Sequence, residues 1–505
     1  MRRWLLLGLA ASAVLTAAGT LDEARSQLLA GNTDAAIETL RGVLAKDPSA
    51  IEPAVLLSET LLATERFDEA SEAAEQARAR HPSEAVFERL LGDICYREGR
   101  IFEADKHYKA AVKTDPRNAR AIYGESQVFE ASSLRKRAFE VLRVAHAIDA
   151  QDALIAAAFF SVDHLSPMAV SRLERELARQ QAMPEGKSDA SLDRGLKLWI
   201  AEGKALDGKP AFEAAAAGQS YRIPLGHLID GRRLTGISLP IRINEAKADF
   251  RFDTGAGGIV VGSRFAERAG IERLGETQIS GVGNGPPVKG WVGYAPLIHI
   301  GGLELKNCIV AVPEKGSVDE SGGLIGSDIL KQFLIKINFD SKSLDLDPLP
   351  GPAWDGRTLV DRYEGPELAG FSQMLIIHHY LLIPTLLSET TKAEQTPALF
   401  LLDTGALLNM ISTILAPDIT KVRDSANQVR GISGKVRMVY SADKVVVQFA
   451  HFRQQMHDLT SFDLRGFSRG AGAEIGGIMG LPLIGMFRSV TLDYRDGRVR
   501  FDYKP

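Results

Sequence analysis

Two aspartates, Asp253 and Asp403, each head the same tetrapeptide: Asp253-Thr254-Gly255-Ala256 and Asp403-Thr404-Gly405-Ala406. Two carboxyl groups brought together can divide acid and base work. One deprotonates water while the other, holding a shared proton, protonates a carbonyl oxygen or a leaving nitrogen. At ~3 Å and an effective dielectric of ~20, two like charges repel by about 5 kcal/mol, so the two titrations separate and one proton is retained over a wide pH range. The apparent pKa values then belong to the pair, not to either residue. Such chemistry needs no metal, and no cofactor is expected.

A dyad of this kind requires rigid turns on strands, and the flanking sequence supplies them. Leu239, Ile241 and Ile243 alternate with Pro240, Arg242 and Asn244, and after a polar turn Phe250 and Phe252 lead into Asp253. Leu381 and Ile383 precede a second polar loop, after which Ala398 to Leu402 leads into Asp403. A glycine-rich hairpin candidate then opens at the same offset from each aspartate: Gly281, Gly283 and Gly285 in the first copy, Gly431 and Gly434 in the second. Leu324-Ile325-Gly326 follows in the first copy, and Ile478-Met479-Gly480 follows at nearly the same offset in the second. Alternating Ile335, Ile337 and Phe339 close the first copy; Val490, Leu492 and Tyr494 close the second, which turns at Asp496-Gly497. Asp and Gly favour turns anywhere, but four landmarks in one order exceed what turns explain.

Residues 221 to 505 resemble the retropepsin-like and pepsin-like aspartic proteases. The resemblance implies a bilobed acid-protease β-barrel fold, Asp253 and Asp403 as catalytic residues, and a peptide or protein substrate in the cleft between lobes. It implies that Thr254 and Thr404 exchange hydrogen bonds across the lobes and that Gly255 and Gly405 admit close backbone approach. Ala256 and Ala406 complete the loops, Gly281, Gly283, Gly285, Gly431 and Gly434 form flaps, and Gly326 and Gly480 support the loops from beneath. Ala256 and Ala406 stand where pepsins often place a hydroxyl, and losing that donor predicts activity at roughly pH 4 to 6.5. The lobes also differ: Gly257 and Gly258 follow the first tetrapeptide where Leu407 and Leu408 follow the second, and Ser327-Asp328-Ile329 corresponds to Leu481-Pro482-Leu483. No pepsin-type flap tyrosine is evident, since Trp291 and Tyr294 lie downstream of the first tip.

Other chemistries fail on spacing. His378 and His379 are adjacent on an expected strand and so point to opposite faces, and His451 and His457 lack a third ligand in register; no metal site is expected. Gly431 to Val436 lacks the four-residue gap of a phosphate loop, and Gly281 to Gly285 lacks the dinucleotide spacing. Cys95 and Cys308 are too few for a disulfide scaffold and read as buried thiols.

Before the β-rich part, Pro48, Pro82 and Pro116 recur at one fixed interval, and Ala36, Ala70, Ala104 and Ala138 recur at the same one. The interval is that of a helix–turn–helix repeat. Leu90, Leu91 and Ile94 mark a first helix in one unit, and Ala104, Tyr108, Ala111 and Val112 a second, with Gly92 where a small residue is needed. Residues 21 to 152 thus resemble a tetratricopeptide (TPR-like) array, an α-solenoid implying either a protein partner in its groove or a spacer. Residues 153 to 182 read as one more helical pair, and 183 to 219 as a linker with a short helix.

The 505 residues carry 60 Lys and Arg against 64 Asp and Glu, with no basic surplus for a nucleic-acid partner. Arg2 and Arg3, an apolar run from Trp4 to Leu15 and the small residues Thr16 to Gly19 read as a signal peptide. The run is too short to span a bilayer comfortably, so no stable membrane anchor is expected after cleavage. The expectation is a periplasmic or secreted multidomain α plus all-β protein: signal peptide 1–19, helical repeats 20–182, linker 183–219, and protease lobes 220–352 and 353–505. Its expected activity is that of an aspartic endopeptidase. Alternatives are a catalytically silent protease fold that binds peptide, and an assembly protein whose repeats carry the function.

Overall fold

The computed structural model describes residues 20–162, 169–183, 190–216, 218–279, 281, 286–314, 322–352, 359–389, 395–425, 429–431 and 434–504. Residues 1–19, read above as a signal peptide, and Gly283 and Gly285, expected in the first flap, lie outside the described residues. The chain divides into two compact units, one of residues up to Val128 with Val141–Ala150, the other of Phe129–Glu140 with Gln151–Pro505.

The first unit is a helical repeat array. Helices at Thr33–Lys46, Phe67–Arg80 and Ile101–Thr114 begin at equal intervals and alternate with helices at Ile51–Ala63 and Ala85–Arg97. Gly31, Glu65 and Gly99 share one register in the turns between paired helices, with φ of 77°, 61° and 77°. Ala36, Ala70 and Ala104 are fully buried. Gly92 has a sharper reason to be small: a Cβ there would lie 2.6 Å from the ring of Tyr108, and one at Gly124 would lie 2.3 Å from it. The phenol between these two glycines donates to Asp93 at 2.9 Å.

In the second unit, helices Ala153–Ser161 and Ala169–Gln181 are the expected pair. The segment read as a linker with a short helix holds instead a 17-residue helix, Ala190–Leu206. Its Leu192, Leu196 and Ile200 share an apolar core with Ala156, Phe160, Ala169 and Leu173, which is why it persists through Gly195 and Gly203. Beyond it, Glu213–Ala214 pairs with strand Leu303–Pro313.

Three large sheets and one two-stranded ribbon, Arg430–Gly431 with Gly434–Lys435, build the rest of the described residues. One contains the strands around Asp253, from Glu213 to Gly326; another contains those around Asp403, from Leu375 to Met479. The third is shared. Strand Phe333–Asn338 of the first lobe pairs antiparallel with Phe487–Asp493 of the second, setting Ile335 opposite Leu492 and Ile337 opposite Val490. Strands Ser343–Pro348 and Tyr221–Pro224 extend it on one side, and Arg498–Tyr503 and Ser372–Gln373 on the other. The alternating Ile335, Ile337, Val490 and Leu492 are fully buried, whereas Phe339 and Tyr494 lie just past their strands. A helical repeat array followed by a bilobed, β-rich acid-protease-like region is the architecture.

Candidate active site

Each tetrapeptide leaves a strand anchored in the core, by Phe250 and Phe252 in the first lobe and by Phe400 and Leu402 in the second. Ala246–Asp253 pairs parallel with Gly323–Gly326, setting Gly326 beside Asp253. Thr396–Leu402 pairs in the same sense with Gly477–Met479, and the Asp403 N–H donates to Met479 O at 3.0 Å. The two slightly unequal sequence offsets thus resolve into one register.

The glycines are small because backbone or carboxylate occupies the space. A Cβ on Gly326 would sit 2.4 Å from the Ala256 carbonyl oxygen, and one on Gly480 would sit 2.3 Å from that of Leu408. A Cβ on Gly255 would come within 2.7 Å of Asp403 Cγ, and one on Gly405 within 2.3 Å of Asp253 Oδ2. Each loop therefore lies against the opposite aspartate.

The threonines fix this approach. Thr254 N–H donates to Thr404 Oγ1 at 3.1 Å and Thr404 N–H to Thr254 Oγ1 at 3.0 Å. The Thr254 hydroxyl donates to Leu402 O and that of Thr404 to Phe252 O, at 2.7 and 2.9 Å. Both side chains are fully buried. Asp253 Oδ1 accepts from Gly255 N at 3.0 Å; Asp403 Oδ1 accepts from Gly405 N at 2.8 Å and Ala406 N at 3.0 Å.

The two carboxyl groups hydrogen-bond each other. Burial raises Asp253 above the ordinary aspartate range, against the lowering effect of the Asp403 hydrogen bond and the Gly255 N–H. Burial and then the charge of Asp253 raise Asp403 well above it. A pair so placed keeps one proton to pH values where isolated aspartates have lost theirs.

The Ser327-Asp328 departure has a structural counterpart. Asp328 accepts from Gly258 N through both oxygens, at 2.9 and 3.0 Å, and braces the first loop from beneath. Pro482 holds the corresponding place in the second lobe, and there Asn409 Oδ1 accepts from Gly480 N at 3.0 Å. The same brace runs in opposite directions. Neither role is marked in the sequence, because each depends on a partner far along the chain.

The first flap is a hairpin of Glu272–Ile279 and Val288–Ile300 with Gly281 in its tip. Trp291 and Tyr294 lie on its returning strand, Trp291 beneath the Arg273 guanidinium at 5.8 Å and Tyr294 donating to Asn307 at 3.1 Å. In the second, Arg430–Gly431 pairs antiparallel with Gly434–Lys435, setting Gly431 opposite Gly434, the latter at φ 95°. Leu198 of helix Ala190–Leu206 packs on the first flap, 3.1 Å from where a Gly275 Cβ would stand.

The histidine expectation needs correcting. His378 and His379 lie in a hairpin turn between Ile377 and Tyr380, not on a strand, with His378 at φ 57°. His379 is therefore free to lie against Gly257, where a Cβ would be 2.7 Å from its Cγ. A cavity of about 340 Å³ lined by Arg242, Lys247, Asp249 and His299 includes no residue of either tetrapeptide.

Residues 239–329 match the aspartyl protease family model, and residues 27–94 match the tetratricopeptide repeat model. No curated protein matches the chain. Among solved structures, the chain is similar to a thermophilic TPR protein of Thermus thermophilus, with 21% identity over 36% of this chain and 98% of that one, TM-score 0.31. It is similar also to pilF of Pseudomonas aeruginosa, with 18% identity over 39% of this chain and 89% of that one, TM-score 0.29. A third is MamA, 18% identical over 27% of this chain and 80% of that one, TM-score 0.24.

Proposed function

We propose that the protein is an exported aspartic endopeptidase whose TPR-like array engages a protein partner. The carrying observation is the hydrogen-bonded pair of raised carboxyl groups, Asp253 and Asp403, held by reciprocal threonine bonds. With one proton on the pair, the ionised carboxylate takes a proton from water as its oxygen attacks the substrate carbonyl carbon, and the protonated carboxyl gives its proton to the carbonyl oxygen. The tetrahedral diol collapses as a proton passes to the amide nitrogen and the C–N bond breaks, returning one proton to the dyad. The glycine-bearing hairpins supply backbone groups for an extended substrate strand. Export rests on the basic, apolar and small-residue sequence of residues 1–19.

Exposing the mature chain to a mixed peptide library from pH 3 to 8 tests the activity, with Asp253→Asn and Asp403→Asn as controls. Cleavage that either substitution abolishes is the expected result. Absence of cleavage, or cleavage surviving both substitutions, overturns the assignment. Fractionation with N-terminal sequencing tests export: the mature chain is expected outside the cytoplasm, beginning near residue 20.

A further inference from the structure

The hairpin turn before the second lobe's long strand brings His379 to the loop that holds Asp253, with Tyr380 beside it at the start of the strand. The imidazole of His379 lies on Gly257, four residues beyond Asp253, and only a glycine there leaves room for it. The Tyr380 ring lies tilted against that of His379, with centroids 4.0 Å apart and planes 38° apart. Its hydroxyl lies over helix Arg465–Ala471, 3.1 Å from where a Gly470 Cβ would stand, and the charge of Asp403 acts on the phenol. The pair thus lies against the loop that follows Asp253, at Gly257, with the phenol turned toward helix Arg465–Ala471.

Both rings are half-buried, and neither side chain makes a hydrogen bond among the described residues. Burial, together with His378, holds the His379 imidazole down at about 4, so above that pH it is neutral and offers one donor and one acceptor. Half-buried polar atoms without protein partners, set against the loop of a reactive aspartate, are suited to a ligand. The equivalent place in the other lobe is apolar: four and five residues beyond Asp403, Leu407 and Leu408 are 39% and 36% exposed.

We propose that His379 and Tyr380 are specificity-determining residues that hydrogen-bond a polar substrate side chain on the Gly257 side of the scissile bond, while Leu407 and Leu408 receive an apolar residue on the other side. The inference rests on the protease reading above. A cleft polar at one end and apolar at the other gives the substrate chain a direction, which two equal lobes do not. A site built to hydrogen-bond a side chain rejects the analogue lacking that group far better than an apolar pocket rejects an added one.

The test compares wild type with Tyr380→Phe, which keeps the ring and removes only the hydroxyl, and His379→Leu. The substrates are peptide pairs differing by Thr against Val or Asn against Leu at each position flanking the cleaved bond. Wild type is expected to favour the hydrogen-bonding member at one position about 5- to 50-fold, and each variant to lose about 3- to 10-fold of that ratio. Cleavage of all-apolar peptides changes less than about 2-fold, which separates recognition from a general structural defect. If wild type cleaves and the ratios are unchanged in both variants, the specificity assignment is overturned while the protease assignment stands. If wild type cleaves nothing, the protease assignment falls, and the same peptides are used in a binding assay. Binding weakened by Tyr380→Phe then supports the pair as a peptide contact; unchanged or absent binding overturns it.

Discussion

Thr254 and Thr404 each donate a backbone N–H to the other's hydroxyl, at 3.1 and 3.0 Å, and each hydroxyl donates to the carbonyl preceding the other's aspartate. Four hydrogen bonds therefore join two segments distant in sequence, and both threonines are fully buried. Thr254→Val keeps the shape but leaves the Thr404 N–H and the Leu402 carbonyl unpaired. Its expected cost is roughly 2–5 kcal/mol in denaturant unfolding, with cleavage lost in parallel. The double Thr254→Val/Thr404→Val variant is expected to cost clearly less than the two singles summed, since both act on one network.

Gly255→Ala and Gly405→Ala drive a methyl group into the opposite carboxyl, at 2.7 and 2.3 Å without movement. A displacement of about 1 Å at reacting groups costs on the order of 100-fold in rate. Each variant is expected to lose at least about that factor in kcat/KM. Gly302→Ala, whose Cβ meets nothing within 4 Å, is expected to leave kcat/KM unchanged and serves as the control.

Burial raises both Asp253 and Asp403, so the singly protonated pair persists to less acidic pH than isolated aspartates allow. The pH–rate profile is expected to peak at roughly pH 4 to 6.5; a maximum below pH 3 contradicts it. The stability sign follows from linkage. A raised carboxyl binds its proton more tightly when folded, so its contribution is full below the unfolded value near 4 and is lost as pH rises through the folded value. Asp403→Asn is accordingly expected to raise the thermal midpoint at pH 7 while abolishing cleavage.

Asp493 offers the same test away from the dyad. Burial, with the nearby Asp496, pushes it up to about 7, and its Oδ1 accepts from the Asp496 N–H at 3.0 Å. Arg495 directs its guanidinium to Asp496 instead, with contacts at 2.6 and 2.9 Å. The stability Asp493 contributes is complete below about pH 4 and lost as pH rises through about 7. Asp493→Asn is expected to raise the melting temperature at pH 8 by several degrees and to change it little at pH 4.

In the repeat unit, Gly92→Ala forces a methyl group against the buried Tyr108 ring at 2.6 Å. Overpacking of this kind costs about 1–3 kcal/mol. The expected outcome is a lower midpoint for the helical unit by circular dichroism.

Much of the protein was legible from local pattern. The regular recurrence of Ala36, Ala70 and Ala104 reports helix pairs because buried small side chains must recur wherever helices cross. Duplicated tetrapeptides, each at the end of a strand, report a loop with fixed geometry because only glycine fits beside a carboxylate. The helix Ala190–Leu206 was less legible, since Gly186, Gly203, Gly208 and Pro210 mark a linker while its apolar face is satisfied by Ala156, Phe160 and Leu173, well upstream.

Sequence alone determined the repeat period, the two lobes and the candidate aspartates, all set by residue type and short-range periodicity. The tertiary structure decided which groups meet. Asp328 bonds Gly258 while Asn409 bonds Gly480, and His379 reaches Gly257 because a turn, rather than a strand, carries it. These contacts follow from parallel pairing within each lobe and from Ile335 facing Leu492 across the shared sheet. Register between distant strands is fixed by the buried faces of the whole assembly, and no local stretch of sequence encodes it.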